Sequence, residues 1–130
     1  MILKASVIAI CLIPALFPAA EDRRVTWTGW FSDQNCASGR AASGTFTATN
    51  PDCAKSCIQK GAPAVFISEQ AKAVLKVKGY AGILDDLGWH LEIQGAVNAA
   101  GDEIAITNVK RLEYTGAACS RPKGTGAKHQ

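Results

Sequence analysis

The chain has 130 residues and a formal net charge of +3. That charge is too small, and its basic residues too scattered before the last ten positions, to support nucleic acid as a partner. A domain of this length buries a real core, so cysteines reinforce such a fold rather than replace its core.

Residues 1–20 read as a cleaved secretory signal peptide. Lys4 supplies the positive start, residues 5–16 are almost wholly apolar, and Pro18, Ala19 and Ala20 offer a cleavage site before Glu21, Asp22, Arg23 and Arg24. The apolar run is too short to span a bilayer, and no later run approaches that length, so no transmembrane segment is expected after signal removal. Cys11 leaves with the signal, because Ile10 stands before it where a lipoprotein needs a small residue. Loss of Lys4 lowers the net charge to +2. One domain is expected over residues 21–117, periplasmic or secreted, followed by a Cys-tethered and then disordered basic tail over residues 118–130.

Within the domain, residues 25–32 place Val25, Trp27, Gly29 and Phe31 on one parity and Thr26, Thr28, Trp30 and Ser32 on the other, the period of a strand. Residues 37–49 show no period and read as a long loop. Asn50, Pro51 and Asp52 form a strong helix start, with a stop expected at Gly61. Residues 64–68 and 73–78 are short strands, and residues 83–87 a short helical connection. Residues 89–97 put Trp89, Leu91 and Ile93 inward and His90, Glu92 and Gln94 outward. Residues 103–114 return as the last strand, with a bulge expected near Thr107 or Asn108, where Val109 breaks the parity of Ile104 and Ile106.

This order predicts a mainly β fold: a small five-stranded OB-like Greek-key barrel (the oligonucleotide/oligosaccharide-binding type). One helix lies between its first two strands, and a short helix precedes the C-terminal hairpin. A five-stranded sheet with one packed helix is the competing arrangement.

Four cysteines remain: Cys36, Cys53, Cys57 and Cys119. Cys53 and Cys57 lie one helical turn apart, so their Cβ atoms are expected roughly 5–6 Å apart. A disulfide needs about 3.5–4.5 Å. Their mutual pairing is therefore disfavoured, and Cys36 and Cys119 are each expected to bridge to one of them, stabilising by about 2–4 kcal/mol per bridge. The alternatives are metal binding or thiol-redox chemistry on the helix face of Cys53 and Cys57.

The run Gly29-Trp30-Phe31-Ser32-Asp33 with Cys36 is followed by Asp52-Cys53-Ala54-Lys55-Ser56-Cys57-Ile58 and Gly61-Ala62. Together they resemble small secreted bacterial proteins of uncharacterised function that share G-W-[IF]-S-D-x-x-C and D-C-x-x-x-C-[VI]-x-x-G-A segments. The resemblance implies an OB-like fold and an exported location, and no activity.

The histidines are His90, expected to be a solvated strand residue, and His129 in the tail. Ser32, Asp33 and His90 contain the residue types of a hydrolytic triad, but no G-x-S-x-G elbow accompanies them. Ser32 and Asp33 are expected to build the turn leading to Cys36. Asp85 and Asp86 are expected to cap or solvate their turn. Trp30 is the best binding residue, either as an exposed stacking platform or packed beneath the cysteine-bearing helix. The expected function is that of a monomeric binding or envelope-interaction module, with Trp30, Ser32 and Asp33 as its candidate binding residues. Its partner would be a small molecule, a glycan or an envelope protein, with no cofactor and no catalytic residue assigned. A small hydrolase is the remote alternative.

Overall fold

A computed structural model describes residues 22–115. The expected signal peptide and the tail with Cys119 lie outside these residues. The elements in chain order are β1 (Arg23–Asp33), α1 (Gln34–Ala42), α2 (Pro51–Gln59), β2 (Ala64–Ser68), β3 (Ala73–Lys78), α3 (Ile83–Asp86), β4 (Trp89–Val97) and β5 (Glu103–Tyr114). The expectation of a mainly β protein with five strands holds. The expectation of one helix between the first two strands does not: there are two.

The extra helix, α1, occupies the front of the expected loop. The Asp33 side chain accepts a hydrogen bond from the Cys36 amide and caps its first turn. Ala37 on its inner face is buried with Val65 and Ile67, and Phe46 and Val74 pack against them. Small residues at Ser38 and Gly39 hide this helix from a periodicity argument, because its buried face is one alanine wide. By contrast, α2 follows its sequence signals. The Asn50 side chain accepts from the amides of Asp52 and Cys53, and Gly61 just past the helix has a φ of 105°.

The five strands form a mixed sheet that rings round in the order β1-β2-β3-β5-β4, with β4 pairing back to β1. All ladders are antiparallel except β3 with β5, where Lys76, Val77 and Lys78 run parallel to Glu103, Ile104 and Ala105. β1 serves two neighbours. Its first half pairs with β4 and its second half with β2, and Gly29 belongs to both ladders, opposite Leu91 and Ser68. A Cβ at Gly29 would lie 1.8 Å from the Ile67 carbonyl oxygen, so only glycine fits this crossing. In β5, Gln94 pairs with Asn108 but Gly95 pairs with Ile106, leaving Thr107 as the extra residue of the expected bulge.

Inside the ring, Phe31, Phe66, Leu75, Leu91, Ile93, Val97, Ile104 and Ile106 form the main core, and α2 contributes the buried Ala54 with Ile58 beside it. Each large side chain taken fully out of water contributes about 1.5–3 kcal/mol. Tyr80 stacks on Phe31 with ring centroids 5.6 Å apart. Its hydroxyl donates to the buried Asp86 carboxylate, which also accepts from Arg111 Nε at 2.7 Å. Asp86 is therefore a buried acceptor tying α3 to β5, not the solvated turn residue expected.

Candidate functional site

Two side-chain clusters bring together most of the residues singled out in the sequence. The first lies where β1 ends. Asp33 is the last residue of β1 and pairs with Ala64, the first of β2. The Gln34 amide donates to the Pro63 carbonyl at 3.0 Å, and the Ala62 amide donates to the Cys57 carbonyl at 3.0 Å. These bonds draw the end of α2 against the start of α1. As a result an Asp33 carboxylate oxygen, Cys36 Sγ and Cys57 Sγ all lie within 4.8 Å of one another. Asp33 is fully buried, Cys36 and Cys57 are half-buried, and Cys53 is exposed on the same helix as Cys57.

The carboxylate at this site is only half satisfied. Asp33 Oδ2 accepts the Cys36 amide at 3.1 Å, whereas Oδ1 is buried with no hydrogen-bond partner among the described residues. The Cys36 thiol lies against this carboxylate, but a thiol is a weak donor and leaves the deficit in place. Burial, followed by the hydrogen bond to Asp33 and the charge of Asp33, pushes the Cys36 thiol up to about 11 from an ordinary 9.0. The charges of Cys57 and Cys53 add smaller contributions in the same direction. Among the described residues Cys36, Cys53 and Cys57 are free, and no pair of them is at disulfide distance.

Ser32, next to Asp33, is also fully buried, and its hydroxyl shares a short hydrogen bond with Thr49. Asp33 thus makes the side-chain to backbone bond expected at the turn toward Cys36, whereas Ser32 bonds the Thr49 side chain instead. They do not present polar atoms on an open surface.

The second cluster is built on Trp30. Its indole stacks on the His90 imidazole with centroids 4.7 Å apart and planes 25° apart, and its Nε1 donates to Thr115 Oγ1 at 3.1 Å. His90 Nε2 contacts Glu69 Oε1, and Nδ1 lies 3.8 Å from Glu113 Oε1. Trp30 is half-buried, neither a bare platform nor fully covered. His90 is not the solvated residue expected, since its ring is held by an aromatic face and a carboxylate. The three residues of the remote triad are engaged separately: Ser32 with Thr49, Asp33 with the Cys36 amide, and His90 with Glu69.

Both clusters were partly legible. Trp30 and the cysteines stood out by residue type and spacing, but Glu69, Glu113 and Thr115 carried no local signal and meet Trp30 and His90 only through strand pairing. Apart from both clusters, an open groove of about 230 Å³ lies beside the Thr107 bulge, lined by Arg24, Val25, Thr26, Gln94, Gly95 and Thr107. No helix among the described residues is long and apolar enough to cross a membrane. Comparison of the chain with protein-family models, with curated proteins and with solved structures finds no match.

Proposed function

We propose that the chain is an exported, disulfide-stabilised OB-like barrel that acts as a binding or envelope-interaction module, with the Trp30–His90 stack as its contact surface. The observation that carries this reading is the strand ring itself. Its order, its parallel β3/β5 pair and its shared β1 support reading it as a five-stranded Greek-key barrel of the OB type. Such barrels commonly bind through the β2–β3 face, but here α1 and Phe46 cover Val65, Ile67 and Val74 on that face. Binding therefore shifts to the neighbouring surface where Trp30, His90, Glu69 and Glu113 combine an aromatic plane with hydrogen-bonding rims. That combination suits a polar ligand with one apolar face, of which a glycan is the preferred class.

In the oxidised protein, Cys36 bridges to Cys57, whose sulfur lies within 4.8 Å of its own, which leaves Cys53 for Cys119. The test has two arms. Peptide mapping of the mature protein without reductant should give Cys36–Cys57 and Cys53–Cys119 linkages. Co-sedimentation with purified peptidoglycan sacculi should be strong for the wild type and lost in Trp30→Ala, with unchanged far-UV circular dichroism. Failure of the wild type to sediment, or equal sedimentation of the variant, would remove this surface as the binding site.

A further inference from the structure

We infer that Asp33, Cys36 and Cys57 form a binding site for a divalent ion of the zinc class when the two cysteines are in their dithiol form. This goes beyond the binding-module reading and does not depend on the Trp30 surface.

The starting point is the oxygen that nothing else explains. A Cys36–Cys57 bridge would consume both sulfurs and still leave Asp33 Oδ1 buried without a partner. An unsatisfied buried acceptor is destabilising, the more so when it belongs to a charged group. A metal ion seated between the three side chains would engage the carboxylate and both sulfurs at once.

The donor set then selects the ion. Two thiolates and one carboxylate suit a borderline-soft, tetrahedral cation, whereas calcium and magnesium demand oxygen-rich shells. With metal–sulfur bonds of about 2.3 Å, tetrahedral ligands sit about 3.8 Å apart. The three donor atoms are already within 4.8 Å of one another, close to that separation. The rigidity of the setting favours this. Asp33 is held by strand pairing with Ala64 and by its cap to α1, while Cys57 rides on a helix whose Ala54 is fully buried.

Thiolates rather than thiols ligate a metal, so binding of a dication releases the two thiol protons, with no change of oxidation state. The fourth position is left to water or to Cys53, one turn before Cys57 on α2. The bridge and the ion use the same sulfurs and exclude each other, so the thiol–disulfide state decides whether the site can load.

The experiment uses the mature chain, reduced with a phosphine under anaerobic conditions and titrated with cobalt(II) and then zinc(II). The expected result is one equivalent of cobalt with thiolate-to-cobalt charge transfer and tetrahedral ligand-field bands, both erased by zinc. Cys57→Ser should abolish the charge-transfer band. Asp33→Asn, which keeps the helix cap, should retain sulfur ligation but weaken affinity by at least about tenfold, the scale of losing even an outer partner of a site. A Cys53→Ser/Cys119→Ser double variant should still bind one equivalent. Absence of a thiolate–cobalt spectrum in the reduced wild type overturns the inference, as does unchanged affinity in Asp33→Asn. If Asp33→Asn fails to fold by circular dichroism, retention of the charge-transfer band in a folded Cys57→Ser variant overturns it instead. Disulfide mapping and sacculus binding can succeed while this titration fails, so the two readings fail separately.

Discussion

Asp33 ends β1, caps α1 and faces two sulfur atoms, and each role leaves a measurable trace. In the reduced protein, maleimide should label the exposed Cys53 first and Cys36 slowly. The rate at Cys36 should rise about tenfold per pH unit up to about 11, because only the thiolate attacks. Asp33→Asn removes the negative neighbour, lowers the thiol's pKa and should speed Cys36 labelling at pH 8. Mass spectrometry of the labelled peptides reads both effects, and an unchanged Cys36 rate in the variant would show that the carboxylate does not control the thiol. The cap itself was legible, since a side chain reaching an amide three residues ahead is a local relation. The unpartnered Oδ1 was not, because its surroundings come from α2 and the start of β2.

At the scale of elements, the clearest device is the tie between α3 and β5. Hydrogen bonding to Asp86, with burial and that carboxylate's charge, pushes Tyr80 up to about 12 from an ordinary 10.0. The raised value means that the folded protein holds this proton more tightly than the unfolded chain does. Its contribution to stability is therefore complete below pH 10 and lost as pH rises from 10 to 12. Tyr80→Phe should cost about 1.5 kcal/mol near neutrality, the value of a hydrogen bond to a charged acceptor. The gap between wild type and variant should close by pH 12 in urea titrations, and a gap that persists there would show that the protonated hydroxyl on Asp86 is not its source. Sequence pattern located the strands and α2 because their apolar periods and caps are local. It missed α1, whose formation depends on Val65 and Ile67 from a strand much later in the chain.

For the whole molecule, closure of the ring turns on Gly29, where β1 passes from β4 to β2. Gly29→Ala drives a methyl group into a backbone carbonyl that cannot rotate away. It should destabilise by about 3 kcal/mol, the upper end of ordinary overpacking. A urea midpoint shifted by less than about 1 kcal/mol equivalent would show that the two ladders part easily there. Local spacing along the chain was enough for five strands, a capped cysteine-bearing helix and a bulge near Thr107 or Asn108, all written in relations of two to four residues. Only the tertiary structure decided that Cys57 comes to Cys36 beside a buried aspartate, that Trp30 lies against His90, and that α1 covers the β2–β3 face. Those meetings depend on which strand lies next to which once the ring closes, and no spacing along the chain encodes that distance.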